Sequence, residues 1–270
     1  MKAYYINLAH RTDRRATMEA RFAAAGIAAE RVNALTPADI TPEQKARYCN
    51  SDNRRWKSAP ELSCSLTHVK IMRLLIDSGD AMAAIFEDDA MLSPGLGAFL
   101  EAYEKADLGI DLLHLETDNN SVRMPPKPEA QLGEFGFYRL YSAGGGSAGY
   151  VCTRKAALRV VEGEEIRAIQ TDQALFAPGV LSRELVTRQL VPALVIQDDR
   201  FGVAPGERRP GSDLESLRQQ RGQSNNQNFW RRLHHNVHDL VVRDIIGANR
   251  NRWLGLTQGI AKRRVLFKAE

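Results

Sequence analysis

Three adjacent carboxylates interrupt an apolar run in the stretch AAIFEDDAMLS, where Glu87, Asp88 and Asp89 follow Phe86. Ionised neighbours raise each other's proton affinity unless a cation compensates them. Hard cations such as Mg²⁺ and Mn²⁺ prefer oxygen ligands of this kind. Because side chains alternate along a strand, Glu87 and Asp89 should point to one side and Asp88 to the other. Two interpretations stay open here: a metal shared by Glu87 and Asp89, or a solvated loop tip.

A second group of reactive side chains lies on the stretch SAPELSCSLTHVKIMRLLIDSG, residues 58–79. Ser58 and Glu61 have capping-box spacing, and Gly79 is a plausible helix end, so this stretch predicts a helix. Glu61, Ser65 and His68 then share a polar stripe beside an apolar one. A hydrogen-bonded histidine on a helix face and a functional histidine are both compatible with the pattern.

The elements that must position these residues alternate along residues 1–200. Short β-branched and aromatic runs predict strands, for example at 3–8, 81–87 and 111–116, and helical patterns separate them. This alternation predicts an α/β fold with a mainly parallel sheet flanked by helices. Ligands of such sheets bind beyond the carboxyl ends of the strands, which is where the acidic triplet is expected.

Composition excludes several classes of protein. The chain has 270 residues, with 43% hydrophobic and 26% charged residues. No apolar segment approaches the roughly 18–20 residues that span a bilayer, and the start is too short in apolar residues for a signal peptide. Cys49, Cys64 and Cys152 are odd in number and form no C-x-x-C pair, which argues against disulfides and a structural zinc site. A cytoplasmic protein is therefore expected.

Positive charge is concentrated at the end of the chain. The net charge is +4, and residues 201–270 hold 13 Lys and Arg against 6 Asp and Glu. We predict a domain over 1–200, followed over 201–270 by a linker and a basic amphipathic helical region, with its main helix at 229–247. Packing on the core and contact with the inner-membrane surface are both compatible with this helix. Binding to nucleic acid is the least favoured alternative.

Four stretches of the chain, in order, match the motifs of one known family. They are YYINLAHRTDRR, ELSCSLTHVKIM, AIFEDDAML and GGSAGYVCTRKAA. The chain resembles glycosyltransferase family 25, the lipooligosaccharide galactosyltransferase family. A weaker match is Asp172 in QTDQAL, followed by VPALVIQ. The chain departs from the family at Ser63 and Thr67, where Gly and Ser are usual.

The resemblance implies a GT-A-type transferase with a Rossmann-like sheet. It implies inverting transfer of a hexose, with galactose favoured, from a UDP-sugar to a saccharide or lipooligosaccharide acceptor. An acidic element would hold Mn²⁺ or Mg²⁺ against the donor diphosphate. The alternatives are a non-catalytic membrane- or partner-binding protein on a degenerate transferase fold, and a metal-dependent phosphohydrolase.

The resemblance also implies roles for particular residues. Glu87 and Asp89 are the expected metal ligands. The expected donor-binding residues are Asn7, Leu8, Arg11, Asp13, Arg14, His68 and Asp88. For the residues after the first strand, an ordinary charged helix start is the alternative.

The remaining roles concern the acceptor side. Gly146, Gly149 and Tyr150 are expected beside the sugar or acceptor. Asp172 is the predicted general base, and a helix N-cap or a surface acid is the alternative for it. Asp118 and Asp198 are the reserve candidates for the base.

Overall fold

The computed structural model describes residues 1–50, 56–204 and 247–269. Its helices are α1 Thr12–Ala24, α2 Pro42–Tyr48, α3 Ala59–Ser78, α4 Leu96–Ala106, α5 Arg154–Glu162, α6 Glu165–Ala168, α7 Thr171–Phe176 and α8 Gly247–Gln258. Short 3₁₀ turns occur at Pro37–Asp39 and Leu181–Arg183.

The strands are β1 Lys2–Asn7, β2 Ala29–Asn33, β3 Met82–Glu87, β4 Ala90–Leu92, β5 Leu112–His114, β6 Glu116–Thr117, β7 Ser121–Met124, β8 Ala130–Leu132, β9 Phe135–Tyr138, β10 Gly149–Thr153, β11 Thr187–Val191, β12 Val195–Gln197 and β13 Ala261–Arg264. Eight of them form the central sheet in the order β2-β1-β3-β10-β5-β11-β9-β8. Only β10 and β9 run against the other six. The predicted α/β fold with a mainly parallel sheet is therefore confirmed.

Helices cover both faces of this sheet, as strand alternation requires. Tyr5 and Phe86 point into one core with Phe22 of α1 and with α4. Tyr4 and Ile85 point into the other core, which also contains residues of α3, α5, α6 and α7. Because apolar residues occupy both faces of the central strands, those strands have continuous apolar sequences.

The helix α3 forms where the sequence predicts it. Ser58 accepts a hydrogen bond from the backbone N–H of Glu61, and Glu61 accepts one from the backbone N–H of Ser58. Gly79 ends the helix with φ +76°, a conformation that favours glycine. The predicted polar stripe of Glu61, Ser65 and His68 is buried in the protein rather than solvated.

Two small sheets complete the structure. The strands β4, β12 and β6 form one, and β13 pairs antiparallel with β7 to form the other. Val265 is buried, and the Thr117 hydroxyl donates to its carbonyl at 2.7 Å. The end of the chain thus packs on the body formed by residues 1–200.

The structure describes only part of the predicted C-terminal region. The expected helix over 229–247 lies, apart from residue 247, outside the described residues. Residues 247–258 are helical, whereas 261–264 form a strand because their backbone pairs with β7. In the parts of the chain that the structure describes, no helix has the length and apolar character to span a membrane.

Candidate active site

An acidic cavity of about 230 Å³ lies at the carboxyl ends of β3 and β12. The loop before β10 and the first residues of α7 complete its wall. Its lining includes six acids, which are Glu61, Glu87, Asp89, Asp118, Asp172 and Asp199. Among the described residues, Lys57 is the only lysine, arginine or histidine in this lining. The cavity therefore occupies the sheet edge at which the ligand site was expected.

The acidic triplet divides between two environments. Glu87 and Asp89 line the cavity, whereas Asp88 does not. The Asn7 amide donates to Asp88 Oδ2 at 2.7 Å, and Arg14 Nη1 donates to Asp88 Oδ1 at 3.0 Å. The division agrees with the expectation that Asp88 points away from Glu87 and Asp89, although Asp88 and Asp89 lie in the turn between β3 and β4. The functional roles of the three acids stay predictions.

Buried polar side chains hold the Glu87 carboxylate in place. Its Oε1 accepts from the Ser147 hydroxyl at 2.6 Å and lies 3.2 Å from His68 Nε2. Burial opposes ionisation here, but the contacts with His68 and Ser147 outweigh it and keep the pKa of Glu87 below its ordinary value. His68 is fully buried, and its Nδ1 lies 2.9 Å from the Tyr150 hydroxyl.

Asp89 has much less compensation than its neighbours. Its Oδ1 is buried and accepts no hydrogen bond from the described residues. The guanidinium of Arg14 is 4.0 Å from Oδ2. Burial, and then the charge of Glu87, raises the pKa of Asp89 to about 7. A buried carboxylate oxygen without a donor, beside a second carboxylate, suits a hard divalent cation.

Glu116 is an acid of this region that the sequence analysis missed. It is almost fully buried, its Oε2 accepts from the Ala148 N–H, and its Oε1 accepts no hydrogen bond from the described residues. Burial, assisted by the charge of Glu87, raises its pKa well above the ordinary range. The sequence did contain a signal for this residue, because Glu116 ends the apolar run DLLHLE much as Glu87 ends AMAAIFE.

Gly146 makes room for Glu116 and brings its own backbone to the cavity. It has φ +93°, and a Cβ at this position would lie 2.1 Å from Glu116 Oε1. Its N–H donates to Asp172 Oδ2 at 3.2 Å. The glycine is therefore required both by its backbone conformation and by the close approach of Glu116.

Asp172 is the second residue of α7 and lines the cavity. Its Oδ1 accepts from the Gln173 N–H at 2.8 Å. Asp118 also lines the cavity and accepts from the Asn120 backbone N–H at 3.0 Å. Asp198 instead forms a bidentate pair with Arg21 and does not line the cavity.

The other two predicted acceptor-side residues lie in the interior of the sheet. Gly149 and Tyr150 belong to β10, between β3 and β5. A Cβ on Gly149 would lie 2.6 Å from Val195 Cγ2, and Tyr150 is fully buried. Of the three predicted residues, only Gly146 lines the cavity, while Gly149 and Tyr150 pack behind its wall.

The predicted donor-binding residues of the N-terminal motif form a network beside the cavity. Asn7 is buried, and its Nδ2 donates to Asp88 and to the Arg11 carbonyl. Arg11 pairs with Asp13 at 3.0 and 2.9 Å, and its backbone N–H donates to the Leu8 carbonyl. These residues do not line the cavity, and their connection to it runs through the acidic triplet.

Lys57 is a second cavity residue that no sequence pattern indicated. It precedes α3 and is almost fully buried, with its ammonium donating to the Ser65 hydroxyl and to the Ile166 carbonyl. Burial lowers its pKa to about 8. A lysine with a lowered pKa therefore lines the same cavity as the acids.

The fold and the site together define an α/β protein with an acid-rich ligand cavity beyond its strand ends. The family model of glycosyltransferase family 25 (LPS biosynthesis protein) matches residues 1–175. The chain therefore belongs to glycosyltransferase family 25, and it is a glycosyltransferase.

Several known proteins are similar to the chain. It is 27% identical over 235 residues to the lacto-N-neotetraose biosynthesis glycosyltransferase LgtE of Neisseria gonorrhoeae, covering 82% of each chain. It is 30% identical over 162 residues to LgtB of the same organism, covering 58% of each. Among solved structures, a glycosyltransferase involved in glycosylation of the major capsid of PBCV-1 aligns at 8% identity and a TM-score of 0.42, over 73% of this chain and 92% of that one.

Proposed function

We propose that the protein transfers a hexose, in the first instance galactose, from a UDP-sugar to a saccharide or lipooligosaccharide acceptor with inversion at the anomeric carbon. Membership of the family and the similarity to LgtE support transfer to a saccharide. The observation that carries the proposal is the pair of cavity carboxylates Glu87 and Asp89, with Asp89 Oδ1 buried and without a hydrogen-bond donor.

Glu87 and Asp89 would hold a hard divalent cation, Mn²⁺ or Mg²⁺. When bound, this ion neutralises the negative charge that builds on the oxygens of the departing diphosphate. The contacts of Glu87 with Ser147 and His68 orient its carboxylate before any ligand arrives. Asp89 has no comparable hydrogen bonds on Oδ1, so this oxygen is the one available for coordination.

Asp172 is the proposed general base. Its carboxylate is fixed by the N–H groups of Gly146 and Gln173, yet it lines the same cavity as Glu87 and Asp89. Inverting transfer needs one base that takes the proton of the attacking acceptor hydroxyl. Asp172 would accept that proton on a carboxylate oxygen and release it to solvent after transfer.

The network of Asn7, Arg14 and Asp88 would position the nucleotide. Asp88 is held by the Asn7 amide and the Arg14 guanidinium, so its carboxylate has a fixed orientation toward a ribose or sugar hydroxyl. The Arg11–Asp13 pair at the start of α1 would contact the nucleotide from the adjoining surface.

Peripheral attachment to the cytoplasmic face of the inner membrane is part of this proposal. Trp253 and Leu256 of α8 are 58% and 80% exposed, and such side chains enter a membrane interface readily. Flotation with vesicles rich in anionic lipid should carry the full chain upward. A variant with Trp253→Ser and Leu256→Ser should float less, and equal flotation of both proteins would contradict the role of α8.

Ligand-induced stabilisation tests the nucleotide-sugar site directly. UDP with Mn²⁺ should raise the melting temperature more than UDP or Mn²⁺ alone, because a ligand that binds only the folded state stabilises it. No change with any divalent cation would refute the proposal. A screen of UDP-sugars for donor hydrolysis then identifies the sugar, and release of UDP rather than UMP or phosphate excludes a phosphohydrolase.

A further inference from the structure

We propose that Cys64, His68 and Glu87 form a binding site for a thiophilic transition-metal ion such as Zn²⁺. The Cys64 sulfur, a His68 ring nitrogen and a Glu87 carboxylate oxygen all lie within 4.8 Å of one another. Sulfur, imidazole and carboxylate together are a zinc ligand set, in contrast to the all-oxygen set that Mn²⁺ or Mg²⁺ prefers. The proposal does not depend on the transfer reaction.

The backbone places the three ligands on facing elements. Cys64 and His68 are four residues apart on α3, so they share one face of the helix. Glu87 ends β3 opposite that face, with its Oε1 3.2 Å from His68 Nε2. Two ligands from one helix and a third from another segment are a common way to hold zinc.

The separations suit a tetrahedral ion. Bond lengths of about 2.0–2.3 Å place the ligand atoms of a tetrahedral zinc site roughly 3.3–3.6 Å apart. The nitrogen and the oxygen already lie near this separation at 3.2 Å. Each separation that involves the sulfur would have to shorten by at most about 1.2 Å, since no pair of ligand atoms exceeds 4.8 Å.

A hydrogen bond on its other ring nitrogen prepares His68 for coordination. A metal-binding histidine commonly donates its other ring N–H to a fixed acceptor, which sets the tautomer. His68 Nδ1 lies 2.9 Å from the Tyr150 hydroxyl, and both side chains are fully buried. In the metal-free protein Nε2 donates its proton to Glu87. Metal binding would move the ring proton to Nδ1, where the Tyr150 oxygen accepts it and the Nε2 lone pair becomes available to the ion. The Ser147 hydroxyl meanwhile orients the Glu87 carboxylate at 2.6 Å.

The cavity gives a metal ion access to the site, and Lys57 provides a positive charge near the Cys64 thiolate. Cys64 and Glu87 both line the cavity, so solvent can supply the fourth ligand. Lys57 lines the same cavity and interacts electrostatically with Cys64. Binding deprotonates the Cys64 thiol and releases one proton to solvent, with no change of oxidation state, so the affinity should rise with pH.

Glu87 would serve both this site and the proposed Mn²⁺ site. A zinc ion on Cys64, His68 and Glu87 would therefore withdraw one carboxylate from the hard-metal pair. The two proposed sites together would make the cavity sensitive to thiophilic metals.

Cobalt substitution tests the site without any activity measurement. Titration of the full chain with Co²⁺ should give a near-ultraviolet thiolate-to-cobalt charge-transfer band that saturates at one equivalent, and Zn²⁺ should abolish it. Cys64→Ser should lose the band. Cys49→Ser, a matched change at another half-buried thiol, should keep it, and so should Asp89→Asn. Absence of the band in the wild-type protein, or its persistence in Cys64→Ser, would overturn the proposal.

A second measurement on the wild-type chain makes the test independent of how the variants fold. Alkylation of each cysteine is followed by mass spectrometry with and without Zn²⁺. Coordination should slow alkylation of Cys64 by about tenfold or more, because the metal occupies the nucleophilic sulfur, while Cys49 should react at the same rate. Equal rates for Cys64 in both conditions would refute the site.

Discussion

The acidic triplet contains carboxylates in two different environments, one with nearby cationic and hydrogen-bonding partners and one largely without them. Asp88 is paired with the Arg14 guanidinium and the Asn7 amide. Asp89, the next residue, has a buried oxygen with no donor and a pKa raised to about 7. The Asp88 side is satisfied by the protein alone, whereas the Asp89 side retains a deficit of positive charge. This difference locates the candidate site more sharply than the density of acids does.

The comparison also separates residues that support the site from residues that would react. Asn7 and Arg14 donate hydrogen bonds to Asp88. The two ring nitrogens of His68 contact Glu87 and Tyr150. Asp89 and Asp172 both line the cavity, and Asp89 keeps one oxygen without a hydrogen bond. Substitutions on the two sides should therefore have effects of different kinds and sizes.

The largest effect is expected from Asp89→Asn. Loss of one proposed metal ligand should reduce transferase activity by about 10²–10³-fold, the size of effect seen when a stabilising electrostatic group is removed from an active site. The folded state should be retained or stabilised, because a repelling carboxylate is removed. Activity assays with the thermal unfolding curve check both statements, and an active variant would refute the metal hypothesis.

Asp172→Asn should follow. Loss of a general base reduces turnover by about 10²–10⁴-fold, while binding of the donor should be unchanged. The turnover number and the Tm shift with UDP and Mn²⁺ measure the two properties separately. Asp118→Asn is the matched control on the same cavity, and a larger loss of turnover in that variant would move the base to Asp118.

Arg14→Gln tests the compensated side. Asp88 should lose its cationic partner but keep the Asn7 amide, so we expect roughly a tenfold loss of activity, equivalent to about 1.4 kcal/mol. Because Asp88 is proposed to position the donor, most of this loss should appear in KM. A loss as large as that of Asp89→Asn would contradict the division of the triplet.

The smallest effect concerns pH and stability. The pKa of Asp89 is raised from 3.8 to about 7, so its folded state keeps a proton that the unfolded state has lost between these values. Its favourable contribution to the free energy of unfolding is present below about pH 4 and is lost as the pH rises through about 7. The Tm of the wild type should therefore fall relative to Asp89→Asn between pH 5 and pH 8.

Saturating Mn²⁺ at pH 8 should remove much of this difference, since the cation replaces the proton as the compensating charge. Parallel melting curves of both proteins in buffers from pH 5 to pH 8, with and without Mn²⁺, check the prediction. A constant difference in Tm over this range would show that Asp89 is not the titrating group.

Much of the fold followed from local patterns. The apolar runs, the capping box of Ser58 and Glu61 and the glycine at 79 predicted the main strands and α3 correctly. The division of the triplet agrees with the predicted one, although Asp88 and Asp89 lie in the turn between β3 and β4 and not within a strand. Glu116 could have been found from the sequence as well, since it ends the apolar run DLLHLE, although in the structure it begins β6.

Other features could not be predicted because they depend on contacts distant in sequence. The polar stripe of α3 is buried only because β3, β10 and α7 pack against it. The strand at 261–264 exists because β7 offers a free edge more than a hundred residues earlier. The local sequences of α3 and of residues 261–264 do not reveal the distant elements that pack against them.

The sequence by itself determined the family, the α/β alternation and the position of the acids at a strand end, because each follows from short-range spacing and residue type. Only the tertiary structure decided which acids are compensated. A carboxylate's charge state depends on burial and on cations and donors within a few ångströms, and these come from distant segments: Arg14 for Asp88, and His68 and Ser147 for Glu87.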